Sequence, residues 1–197
     1  SLTDMPYPRL LHQALTSLGG DLIVTSQQFP GASIRQRLGR SGDDAAKGAP
    51  TVDRVRPDFA EVLALRSYDV LIITEQNGLL DALAWEDTVS SLHSAQQRFK
   101  AANPGAPIYF FVPWNGVSNI QAPQQWIAYE QQADAMWSCV VGTVNAQSAA
   151  EGNPSDIIVL PMARALAYLT ENLTSSREAP GFKGLDHGER MRMIFAD

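Results

Sequence analysis

Three residues far apart in the chain carry groups suited to binding or moving charge, and each lies at a break in the regular pattern. Ser1 opens Ser1-Leu2-Thr3-Asp4 with a primary hydroxyl. Gly31 follows Pro30, and a glycine there serves either as a plain turn or as a point where backbone approaches a ligand closely. Asn77, in Gln76-Asn77-Gly78, either holds its own loop by side-chain bonds or aims an amide N–H at a developing oxyanion. Trp114 and Asn115 after Pro113 offer a pocket wall or a packed loop anchor. A hydroxyl, a backbone N–H and an amide suit acyl transfer, which also needs a base. His12 on the first helix and His93 on a polar helix read as surface or structural, whereas His187 in Leu185-Asp186-His187-Gly188 comes late in the chain. The histidines form no i, i+4 pair and no cluster, which gives metal catalysis little support. No cofactor is expected.

The chain has 197 residues and a net charge of −6. That size reads as one domain with a sizeable core. The acidic balance argues against a nucleic-acid surface, which needs clustered Lys and Arg. No apolar run approaches the roughly 20 residues of a membrane span. Cys139 is the single cysteine, so no internal disulfide forms. Its apolar setting, Trp137-Ser138-Cys139-Val140-Val141, predicts buried packing rather than a reactive thiol. The chain begins without Met, which is compatible with a removed signal peptide and slightly favours a secreted or periplasmic setting.

Elements that position these residues follow from periodicity. Residues 7–20 read as a helix ending on a glycine pair, and DLIVTSQQ as a short strand. SIRQRLGR predicts a short helix, SGDDAAKGAPT a loop, and PDFAEVLALRS a helix. YDVLIITEQ is the clearest strand, its unbroken apolar run predicting burial on both faces. WEDTVSSLHSAQQRFKAANPG predicts a helix stopped by Asn103-Pro104-Gly105, and PIYFFVPW a strand. A long amphipathic helix starts at Pro123, followed by the strand SDIIVLPM and the helix ARALAYLTENLT. This alternation predicts an α/β fold: a three-layer α/β/α sandwich around a mainly parallel, doubly wound, flavodoxin-like sheet. Ligands in such sheets sit beyond the carboxyl ends of the strands, where Gly31, Asn77 and Trp114 fall.

In their order and placement these stretches resemble the SGNH, or GDSL, hydrolase superfamily across nearly the whole chain. Ser1-Leu2-Thr3-Asp4 is similar to the end of that family's Gly-x-Ser-Leu-Thr block, which implies Ser1 as nucleophile. Gly31 matches the block-two glycine whose N–H serves the oxyanion hole. Asn77 matches the block-three asparagine of Gly-x-Asn-Asp, although Glu75 replaces the glycine and Gly78 the aspartate. A carboxylate at Glu75 would oppose an oxyanion unless it points away, pairs with an Arg or contacts substrate; with Trp114 it is expected at the substrate. The last block is Asp-x-x-His. Ile194-Phe195-Ala196-Asp197 resembles its lead-in, which implies Asp197 as the orienting acid with its His three positions beyond; His187, beside Asp186, is the competing base.

The resemblance implies a serine esterase acting on a small-molecule or carbohydrate ester, with an acetyl or short acyl group. Trp85, Trp114 and Trp126 would suit an acylated carbohydrate, or belong to the core. It also implies one domain over 1–197, with the family's first strand and final Asp-x-x-His segment outside the sequence. A literal N-terminal serine using its own α-amine as base competes with this reading. Another class is a non-catalytic module that binds an acylated glycan or a protein. A flavodoxin-like nucleotide binder is disfavoured because Asp43 and Asp44 would repel phosphate in the one Gly-containing loop that suits it.

Overall fold

The computed structural model describes residues 13, 16–19, 23–25, 31–38, 59–153, 155–175 and 181–195. Ser1, His12 and Asp197 lie outside these residues, as do most of the expected first helix and first strand. Gln13, Thr16 and Ser17 are helical, as the periodicity predicts. Ile23, Val24 and Thr25 are not in a strand: they belong to no ladder, and Ile23 is 72% exposed.

From there helices and strands alternate: α1 (Ile34–Leu38), α2 (Phe59–Leu65), β1 (Leu71–Thr74), α3 (Leu79–Trp85), α4 (Thr88–Ala102), β2 (Ile108–Phe111), α5 (Gln124–Ala150), β3 (Ile157–Leu160), α6 (Met162–Ser175) and α7 (His187–Phe195). The three strands form one parallel sheet in the order β1-β2-β3. Leu71 lies opposite Ile108, and Ile108 opposite Ile157. Parallel neighbours require long crossovers, which α4 and α5 supply. The fold is thus α/β with a small parallel sheet.

Side chains alternate across each strand, so a single register decides which residues are inside. Ile73, Ile108, Phe110 and Ile157 face one core, joined by Leu92 and Phe99 of α4 and by Trp137 and Val144 of α5. Phe110 and Trp137 meet at the centre, their ring centroids 5.5 Å apart. The opposite face differs from the two-sided burial expected of YDVLIITEQ. Ile72 is 52% and Ile158 46% exposed, and Val70 is also exposed. The helices that pack on the sheet among the described residues gather on the Ile73 side.

The long helix α5 shows why Cys139 is misplaced by its neighbours. Its buried stripe runs Trp126, Glu130, Ala133, Trp137, Val140, Val144, a three-to-four-residue spacing. Cys139 falls off that stripe and is exposed, not buried. A second, smaller cluster joins Trp126 and Ile127 to Ala167 of α6. Phe195 of α7 stands edge-on to Trp126 at 5.3 Å.

Local stops and starts follow side-chain chemistry. Asn103 ends α4: its N–H donates to the Phe99 carbonyl at 2.8 Å, and its Oδ1 accepts the Tyr68 N–H at 2.7 Å. The same residue therefore closes a helix and fixes the approach to β1. α7 begins with a reciprocal cap. Asp186 Oδ1 accepts the Glu189 N–H and Glu189 Oε2 accepts the Asp186 N–H, each at 2.8 Å.

Candidate functional site

The carboxyl end of β1 and the turn at Gly31 are fastened together by one buried acid. Glu75 follows Ile73 by two residues, so strand alternation sends its side chain inward, and only 2% of it is exposed. Its Oε1 accepts the Ile34 N–H at 3.0 Å and the Gln76 N–H at 2.8 Å. Its Oε2 lies 3.0 Å from the Thr88 hydroxyl, which is also 2.8 Å from the Ala82 carbonyl. Burial raises the pKa of this carboxyl from its ordinary value, opposed by the Gln76, Ile34 and Thr88 hydrogen bonds and by the Arg37 charge. A proton on Oε2 is readily housed: it donates to Thr88, whose hydroxyl then donates to Ala82.

Arg37 adds a second clasp. One guanidinium nitrogen donates to the Thr74 carbonyl at 2.7 Å and another to the Ala32 carbonyl at 2.8 Å. Ser33, buried at the start of α1, caps that helix toward the Gln36 N–H and donates to Glu86 at 2.7 Å. The turn 31–34 is thereby held against residues 74–76 and the α3–α4 junction.

On this frame sit two of the residues expected to act on substrate. Gly31 is exposed at φ +70°, in the left-handed region that favours glycine, and a Cβ there would meet nothing within 4 Å. Backbone conformation rather than crowding explains the glycine. Asn77 is exposed, and its side chain makes no hydrogen bond among the described residues. The self-bonded loop anchor, one of the two roles weighed for it, is not formed. Gly78 instead begins α3 through its own carbonyl, which accepts the Ala82 N–H at 2.9 Å.

The other expected residues are placed variously. Glu75 does not face a substrate: its oxygens are committed inside the protein. Trp114 is half-buried between the two cores, its ring 5.7 Å from that of Phe111. His187 opens α7 with its Nε2 buried and without a hydrogen-bond partner among the described residues. Asp186 is occupied in capping that helix, so it does not orient the imidazole. Gln121, in the loop after β2, reaches the same turn: its Nε2 lies 3.6 Å from the place of a Cβ on Gly188. Trp85 is exposed, and Trp126 is buried with its Nε1–H donating to the Asn115 carbonyl at 2.8 Å. Ser1 and Asp197 lie outside the described residues.

Two buried acids escaped the sequence reading. Glu130 and Asp134 stand one turn apart on α5, beside the loop that carries Trp114. Burial raises the Glu130 pKa from 4.5 to about 7, opposed by the Asn115 N–H. It raises that of Asp134 too, opposed by the Arg164 charge 3.9 Å away. The signal was present: both acids fall on the apolar stripe of an amphipathic helix.

Elsewhere, a cavity of about 250 Å³ opens at the amino end of the sheet, lined by Lys100, Ser148, Asn153 and Ser155 among others. The nearby buried Gln96 is already bonded to Ser148 and to the Ser155 carbonyl. His93 is buried beside Glu151, with Nε2 3.2 Å from a carboxylate oxygen. Among the described residues no group of three or more His, Cys, Asp or Glu is placed to hold a metal ion. Among them, too, no helix is long and apolar enough to cross a membrane.

Comparisons of the chain with protein-family models, curated proteins and solved structures gave no match.

Proposed function

We propose that the protein is a serine ester hydrolase of the SGNH type, with its site at the carboxyl end of β1. The observation that carries this reading is the Glu75 clasp, which holds the Gly31 turn beside the Asn77 loop while both remain exposed. The clasp also removes an objection from the sequence, since the Glu75 carboxyl turns away from where an oxyanion would form. The small sheet would be part of a three-layer sandwich.

In the proposed reaction the Ser1 hydroxyl attacks the ester carbonyl while an imidazole, oriented by Asp197, takes its proton. The carbonyl oxygen becomes an oxyanion, stabilised by the Ser1 and Gly31 N–H groups and the Asn77 amide. Collapse expels the alcohol, which receives the proton from the imidazole. Water, deprotonated by the same base, then releases the acid and restores the serine. His187 is the alternative base. A short acyl ester, free or on a carbohydrate, is the proposed substrate.

Ser1→Ala in the full-length protein is expected to abolish both p-nitrophenyl acetate hydrolysis and covalent labelling by an organophosphonate. Labelling that persists in Ser1→Ala places the nucleophile elsewhere. Saturable binding of an acylated glycan without turnover by the native protein would make it a binding module.

A further inference from the structure

We propose that Glu130 is a positioning residue: its buried carboxyl seats the Trp114–Asn115 loop on α5, and loss of its proton loosens that seat. This stands apart from the ester-hydrolase reading, because it concerns the loop after β2 and not the Gly31–Asn77 frame.

The geometry is a two-point clasp. Glu130 Oε1 accepts the Asn115 N–H at 2.8 Å, and the Asn115 carbonyl accepts the Trp126 Nε1–H at 2.8 Å. Both anchors come from the first two turns of α5, and both grip one residue of the loop. Trp114 immediately precedes it, wedged between the two apolar clusters. The loop lies beyond the carboxyl end of β2, on the side of the sheet where ligands bind in folds of this class.

Burial favours the neutral carboxyl here, against the pull of the Asn115 N–H toward the ionised form. Glu130 is 1% exposed, and its Oε2 is buried with no hydrogen-bond partner among the described residues. An ionised oxygen left there has no donor among the described residues, and desolvation of that charge is costly. The surroundings offer no relief. Residues 113–117 of the loop are all non-ionisable. On α5 the neighbouring charge is Asp134, a second acid, whose Oδ1 also has no hydrogen-bond partner among the described residues; Arg164 of α6 approaches Asp134 rather than Glu130. On α4, His93 is beside Glu151, Arg98 donates to the Leu38 carbonyl and Lys100 to the Ala106 carbonyl. On α7, Arg190 donates to the Asp186 carbonyl. No charged side chain contributes to the Glu130 shift.

The direction follows from linkage. The unfolded carboxyl ionises near 4.5 and the seated one near 7. Seating is therefore fully favoured below about pH 4.5, weakens as pH rises between these values, and gains no further penalty once both states are ionised. At pH 7 the seated carboxyl is about half ionised, and most of the penalty on seating is already in place.

The test is intrinsic tryptophan fluorescence of the full-length protein from pH 5 to 9. The native protein is expected to show a reversible change with a midpoint near 7. Glu130→Gln keeps the Oε1 acceptor and cannot ionise, so the change should vanish and the low-pH spectrum persist. Trp114→Phe assigns the signal and should remove most of its amplitude. A native protein with a flat profile overturns the proposal, and so does an unchanged midpoint in Glu130→Gln, which would assign the titration to another group. Neither result bears on whether Ser1 is labelled by a phosphonate.

Discussion

Asn77→Ala is expected to lower kcat for p-nitrophenyl acetate by about 10²–10³-fold, the usual cost of one oxyanion donor, about 2.7–4 kcal/mol of barrier. The expected change in KM is small, because a donor aimed at the oxyanion acts in the transition state and not on the bound ester. Stability should move by no more than about 0.5 kcal/mol. Asn77 is exposed and its side chain bonds to nothing among the described residues, so its removal orphans no partner. The separation of these two effects is the informative part. A loss of only a few-fold in kcat removes Asn77 from the site, and a large loss of stability would mean that it holds the loop after all.

Glu75→Ala is expected to do the reverse, costing about 3 kcal/mol of folding stability in chemical denaturation. It leaves the Ile34 and Gln76 N–H groups without their acceptor, and each orphaned buried donor costs about 1–3 kcal/mol. Thr88 is spared, since its hydroxyl retains the Ala82 carbonyl. Activity should fall along with stability, because the clasp on the Gly31 turn is lost. Glu75→Gln tests the chemistry more finely. Its amide oxygen can accept both N–H bonds, and its NH₂ stands where a protonated Oε2–H would donate to Thr88. The raised pKa of Glu75 fixes the sign of the pH dependence. As pH rises above 4.5 the unfolded carboxyl ionises before the folded one, so the native protein loses a Glu75 contribution to stability that Glu75→Gln does not lose. The variant should therefore gain on the native protein as pH increases. A native protein that instead gains on Glu75→Gln as pH increases would contradict burial of the neutral acid.

Much of the frame was legible because periodicity survives folding. The apolar run at Leu71–Ile73, the break at Asn103-Pro104-Gly105 and the three-to-four spacing on α5 each marked the right kind of element. What misled was the step from an apolar run to burial on both faces. Val70 and Ile72 are as apolar as Ile73, and only the placement of α4 and α5 decides that Ile73 goes inside. Cys139 erred in the same way, since its apolar neighbours lie on a stripe that it misses by one residue.

At the candidate site the turn and strand-end positions of Gly31 and Asn77 were readable, while the role of Glu75 was only half so. Alternation from Ile73 already sends residue 75 inward. The partners that make an inward acid tolerable come from Ile34, Arg37 and Thr88, remote in sequence and invisible until the chain folds. Glu130 was hidden for a similar reason: its stripe position is plain, but the Asn115 N–H that it holds belongs to a loop with no pattern of its own.

The most direct test is a crystal structure of the full-length protein reacted with an organophosphonate. The account predicts a bond from Ser1 Oγ to phosphorus, with the phosphonyl oxygen about 2.7–3.1 Å from both the Gly31 nitrogen and Asn77 Nδ2. An adduct on another residue, or a phosphonyl oxygen that neither group reaches, would contradict it.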